Sequence, residues 1–148
     1  MTVESEDELW CRWRDVRPPL DPSQTEELLA ALRSSQPGTG HVVAALAQRG
    51  ALPDAITEAA LATRETDDEM AWMRVHVRAR SMLTALRSGS VDHRYVVGEL
   101  LQKGLSWAAM EVVELVDHEG LSELEGRVRQ EKPFTRAQRH RLLTAIAR

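Results

Sequence analysis

One stretch of this chain occurs twice, and that duplication limits its folds more than any other feature. Residues 28 to 61 (LLAALRSSQPGTGHVVAALAQRGALPDAITEAAL) align without a gap on residues 82 to 115 (MLTALRSGSVDHRYVVGELLQKGLSWAAMEVVEL), at an offset of 54 residues. Twelve of the 34 aligned positions are identical, among them Leu29/Leu83, Arg33/Arg87, Val42/Val96, Val43/Val97, Leu46/Leu100 and Gly50/Gly104. A third fragment, Leu142-Leu143-Thr144-Ala145-Ile146, echoes Met82-Leu83-Thr84-Ala85-Leu86. Self-similarity at a fixed spacing marks stacked supersecondary units, each too small to bury its apolar face alone.

The local signals within and around the copies are helical. Ser5 and Glu8 have the spacing of a capping box, ahead of an apolar face of Leu9, Trp10, Trp13 and Val16. The two tryptophans read as core, and Pro18-Pro19 ends the segment. Asp21-Pro22 is an N-cap followed by a first-turn proline, and Leu28, Leu29 and Leu32 form the stripe behind it. Thr39 is placed to cap a helix carrying Val42, Val43 and Leu46, with Gly50 as a left-handed C-cap and Gly104 as its counterpart. Pro53 opens the next helix, and Ser106 is the expected N-cap of the equivalent helix in the second copy.

Thr66 to Glu69 form a second capping box, opening the longest helix over residues 66 to 88. Its expected apolar face is Trp72, Val75, Ala79, Met82, Leu83 and Leu86, with Arg74, His76, Arg78 and Arg80 off that face. Helices through Leu100, Met110 and Val113 follow. Gly120 is a break before Leu121, Leu124 and Val128, Lys132-Pro133-Phe134 is another, and Thr135 caps a last helix around Leu142 and Ile146. No segment alternates with a period of two. The expected fold is all-α, an α–α superhelix or solenoid-like array of about eight or nine short helices, within a single domain spanning 1–148.

Composition narrows the function classes. Hydrophobic residues make up 43% and charged residues 28%, enough for a packed core. A net charge of −4 and a pI near 5.7 disfavour a dedicated nucleic-acid binder. The lone Cys11, read as a packing residue, fits a reducing compartment, and the acidic start lacks the basic and apolar regions of a signal peptide, so a cytoplasmic location is expected. No apolar run reaches membrane-spanning length. Seventeen arginines against two lysines, with abundant alanine and leucine, fit a GC-rich bacterial coding bias.

Candidate chemistry is thin. His118-Glu119 has no second histidine at helical spacing, which excludes the zinc-protease pattern, and His118 reads as a last-turn residue favoured by the helix dipole. The other histidines are scattered without ligand-like spacing. Pro37-Gly38-Thr39-Gly40 lacks the lysine of a phosphate loop. Ser34 and Ser88 recur in both copies, as a structural residue does and a catalytic one seldom does. No catalytic residue, cofactor or metal site is expected.

Charge is unevenly spread: residues 1 to 31 carry a net of −5 and residues 127 to 148 a net of +6. Trp107, near a helix start, has no aromatic counterpart in the first copy, and tryptophan is enriched at binding hot spots. Arg74 and Arg78, one turn apart, form a cationic stripe. Trp107, Arg74 and Arg78 are therefore the expected partner-binding residues, for a protein partner that is acidic at the contact.

The run Asp92-His93-Arg94-Tyr95-Val96-Val97-Gly98-Glu99-Leu100 resembles the polar-then-apolar start of a HEAT or armadillo helix pair, and the likeness covers residues 28 to 61 and 82 to 115. The resemblance implies a stacked helical array whose extended faces bind proteins and sometimes nucleic acids, and it carries over no catalytic residue. The resulting expectation is a non-catalytic binding protein: an adaptor, an effector chaperone or an inhibitor of the immunity-protein kind. The alternative is a nucleic-acid-associated regulator using the basic C-terminal helix. Oligomeric state is left open.

Overall fold

The computed structural model describes residues 4–64, 67–130 and 134–148, with the backbone alone at 101 and 102. Among these residues the chain is all-α, with nine helices and no strand. It divides into two compact units, residues 1–81 and 82–148, and the division falls inside the fifth helix.

The first unit holds α1 (Glu6–Trp13), α2 (Pro22–Arg33), α3 (Thr39–Arg49), α4 (Asp54–Ala62) and most of α5 (Asp68–Arg87). α2 packs on α3 and α4, and α1 packs on α3. Leu9, Trp13, Leu28, Val42, Val43, Leu46, Ile56, Ala60, Met73 and Val77 form the core. Asp21 makes a full capping box with Gln24. Ser5 accepts from the Glu8 N–H at 3.2 Å, but the Glu8 carboxylate returns to the Ser5 hydroxyl rather than to its backbone. Trp13 is buried as expected, whereas Trp10 is 40% exposed, with the Arg49 guanidinium 6.0 Å from its ring centroid. Cys11 is exposed, not packed.

Thr39 does not cap α3. The turn before it needs a left-handed residue, so Gly38 takes the cap position at φ 90°, and the Thr39 hydroxyl donates to the Gln36 carbonyl at 2.7 Å. The Gly38 N–H donates to the Glu69 carboxylate at 3.0 Å, which supplies the missing cap from α5. Gly50 is extended (φ 171°), not left-handed. A Cβ there would lie 3.1 Å from Pro18 Cβ, so glycine serves the close approach of that loop. Gly104 does adopt the left-handed conformation, at φ 68°.

The proposed Thr66 cap lies outside the described residues; the Asp67 carboxylate accepts the Met70 N–H at 2.9 Å. The buried face of α5 is only partly the expected one. Ala79 and Leu83 are buried as expected, but Met73, His76, Val77 and Arg80 join them, while Val75, Met82 and Leu86 are half-buried and Trp72 is 50% exposed. Two polar residues on the inward stripe disguised it. An arginine can lie there because its guanidinium finds a carbonyl partner.

The second unit holds the end of α5 with α6 (His93–Gln102), α7 (Ser106–Leu115), α8 (His118–Gln130) and α9 (Arg136–Ile146). α6 packs on α7 and α8, and α9 packs on both α7 and α8. Val96, Val97, Leu100, Ala108, Ala109, Val112, Leu124, Val128, Phe134 and Leu142 are buried. α7 is apolar nearly all round, so periodicity did not select its inward face. The small side chains at 108 and 109 go to the core, and Met110 and Val113 are half-buried.

Leu105, not Ser106, occupies the N-cap of α7. Gly120 is not a break but lies within α8, buried, where a Cβ would meet Val116 Cβ at 2.8 Å. Asp117 accepts the Gly120 N–H at 2.9 Å, so His118 stands in a first turn rather than a last one. Lys132 and Pro133 lie outside the described residues.

Between the duplicated segments, α2 and α5 end at the matched Arg33 and Arg87, and α3 and α6 cover matched positions. α4 and α7 do not: α7 begins at Ser106, whose counterpart is Leu52, two residues before α4 starts. Leu52 precedes Pro53, and a residue before proline is pushed out of the helical region.

Candidate protein-docking groove

The sequence of α9 puts two different stripes on one helix. Leu142 is buried and Leu143 and Ile146 are half-buried on one side. Ala137, Arg141, Thr144, Ala145 and Arg148 recur at i, i+4, i+7, i+8 and i+11, a single helical face, and all but the half-buried Ala145 are exposed. Thr135 and Gln138 form a full capping box that fixes the start of the helix. The Gln138 side chain also donates to the Ser106 hydroxyl at 3.4 Å, tying the start of α9 to the start of α7.

Between the two helices lies an open groove of about 420 Å³, floored by Met110 of α7 with Ala137 and Ala145 of α9 and edged by His140, Arg141 and Arg148. Among the described residues no carboxylate pairs with His140, Arg141 or Arg148. On α8, by contrast, Glu119 and Glu123 lie 3.7 and 3.2 Å from the Arg94 guanidinium, and Glu125 lies 3.0 Å from that of Arg129. Among the described residues, Arg141 and Arg148 thus stand beside an apolar floor without a carboxylate partner. Of the tripeptide 139–141, Arg139 is half-buried and engaged within the fold, while His140 and Arg141 are exposed.

The residues singled out from the sequence fall in different places. Trp107 is half-buried in the first turn of α7, three positions before Met110 and so one turn along from the groove, which it does not line. Arg74 and Arg78 belong to the first unit. Arg74 is half-buried, and its guanidinium donates to the carbonyl of Thr63, the residue that ends α4; Arg78 is exposed. Sequence reasoning treated the basic end as a block of charge and missed the groove. The i, i+4, i+7, i+8, i+11 spacing of small and cationic residues opposite Leu142 was the available signal.

Among the described residues no three histidine, cysteine or acidic side chains converge as metal ligands would. Among the same residues no helix is long and apolar enough to cross a membrane. No family model, curated protein or solved structure matches the chain.

Proposed function

We propose that the chain is a non-catalytic, HEAT-like helical-repeat protein that acts by binding another protein, as an adaptor, an effector chaperone or an inhibitor of the immunity kind. The observation that carries this reading is the α7–α9 groove, where an apolar floor adjoins Arg141 and Arg148, which pair with no carboxylate among the described residues. Small-molecule sites enclose most of their ligand and converge several polar groups on it; an open groove between two helices offers neither. A floor that is apolar and an edge that is cationic favour a partner acidic at the contact. Trp107, Arg74 and Arg78 stay within the proposal as partner-binding residues, Trp107 as an anchor beside the groove. The competing reading, a nucleic-acid-associated regulator using α9, has no exposed aromatic to stack a base, because Phe134, the sole aromatic of the basic residues 127 to 148, is buried.

The experiment places a photo-crosslinking residue at Thr144 in the native host. The expected result is a single protein adduct that disappears when Arg141→Glu and Arg148→Glu are combined. Nucleic acid recovered in its place, falling away as salt is raised, transfers the function to the competing reading.

A further inference from the structure

We infer that the α7–α9 groove receives an acidic amphipathic helix, its apolar residues over Met110, Ala137 and Ala145 and its carboxylates against His140, Arg141 and Arg148; this rests on the protein-binding reading above. The stripe from Ala137 to the end of α9 at Ile146 runs about 14 Å along the helix axis at the usual rise, with Arg148 just beyond it, so it offers a linear track of between two and three turns. Small side chains at 137, 144 and 145 let a neighbouring backbone come close, while Met110 is an adaptable apolar contact.

Other modes of peptide recognition lack what they need. Strand addition requires a sheet edge, and the described residues contain no strand. A polyproline segment requires an aromatic-lined groove, and no aromatic side chain lines this one. A third helix laid on a helix pair, read through contacts at helical spacing, uses both the apolar floor and the linear track, whereas an acidic motif held by the arginines alone would leave the floor uncovered. The sign of its charge follows from the edge: cations without carboxylate partners among the described residues attract glutamate and aspartate and repel lysine.

The test uses synthetic, alanine-based helices of about 15 residues carrying leucines at i, i+4 and i+7. One version has glutamates flanking the leucines, a second has lysines there, and a third scrambles the glutamate version so that its apolar stripe is lost. Binding to the full chain is read by fluorescence anisotropy. The glutamate helix is expected to bind and the other two are not. Arg141→Glu with Arg148→Glu should weaken binding by about tenfold or more. Thr144→Trp, an exposed substitution that fills the groove, should do the same with an unchanged circular dichroism spectrum. Equal binding of the glutamate and lysine helices, no binding of the glutamate helix, or undiminished binding by either variant overturns the inference. A protein adduct captured at position 144 while the glutamate helix fails to bind removes this occupant and leaves the protein-binding reading standing; loss of both removes both.

Discussion

Arg80 Nε donates to the Ala47 carbonyl at 2.6 Å, so a buried guanidinium on α5 closes the C-terminal end of α3. The relationship is repeated nearby. Arg49 donates to the carbonyls of Trp13, the last residue of α1, and Val16, at 3.3 and 2.9 Å, and Arg74 donates to the Thr63 carbonyl just past the end of α4. The last carbonyls of a helix have no internal partner and form the negative end of its dipole. In the first unit an arginine from another element thus binds carbonyls at or just past a helix end three times, which gives the arginine-rich composition a structural use.

Replacing Arg80 by alanine leaves the Ala47 carbonyl buried without its donor, at a cost of about 1–3 kcal/mol. Denaturant melts of Arg80→Ala should show a loss of that size, and Arg80→Lys should recover part of it by keeping a cation in reach. A neutral outcome for Arg80→Ala means that water or a neighbour satisfies the carbonyl.

Leu46 and Leu100 occupy matched positions in the duplicated stretch, and both are buried, at 0% and 1% exposure. Leu→Ala at either should cost about 2–5 kcal/mol, the sum of lost transfer energy and an unfilled cavity. Near-zero changes in urea or guanidinium midpoints at either site would show that the stripe is not packed.

The helices were legible because caps and apolar spacing agree along much of the chain. Asp21 and Thr135 cap α2 and α9 as their sequences suggest, and Val42, Val43, Val96 and Val97 all face inward. Legibility failed where a residue type had two physical uses. His76 and Arg80 read as surface and are buried; for Arg80 the reason is a hydrogen bond to the distant Ala47 carbonyl, which has no local signature. Gly50 does end α3 but in an extended rather than a left-handed conformation, and Gly120, read as a break, lies within α8; both serve close approach, which depends on where Pro18 and Val116 come to lie. Of the groove, the α9 stripe was legible in its spacing, but the approach of Met110 from α7 was not, since contact between separate helices has no local pattern.

Glycine supplies a paired test within one helix. At Gly120 an added Cβ meets Val116 Cβ at 2.8 Å, whereas at Gly126 nothing lies within 4 Å. Gly126→Ala should stabilise the chain by about 0.4–1 kcal/mol through the unfolded state, and Gly120→Ala should destabilise it. Thermal melts of the two variants read the sign directly. Two shifts of the same sign contradict the packing at Gly120.

His76 is 2% exposed, its ring 4.4 Å from that of Trp72, and burial pushes its pKa below the ordinary histidine value. The folded state therefore keeps His76 neutral where the unfolded chain, titrating near ~6.5, has taken up a proton. The unfolded state binds more protons below that pH, so this contribution is fully present above it and is lost as pH falls through and below it. Urea midpoints at stepped pH should drop more for the native chain than for His76→Gln between about pH 7 and pH 5. Parallel profiles for the two proteins rule out a contribution from this residue.

Arg74 and Arg78 sit one turn apart on α5 and looked equivalent in the sequence, but they differ in the fold. Arg74 is half-buried with its guanidinium on the Thr63 carbonyl, and Arg78 is exposed. Arg74→Ala should cost about 1 kcal/mol for the lost hydrogen bond, somewhat more if the carbonyl stays dry. Arg78→Ala should change stability by no more than about 0.5 kcal/mol. The difference decides how a partner-binding role is tested at each. Arg78→Glu acts on the surface charge alone, so lost affinity in a fully folded Arg78→Glu protein speaks for a contact. Lost affinity in Arg74→Glu speaks only after its melting curve has been matched to the native one. Equal stability losses at the two positions would contradict the separate roles assigned to them.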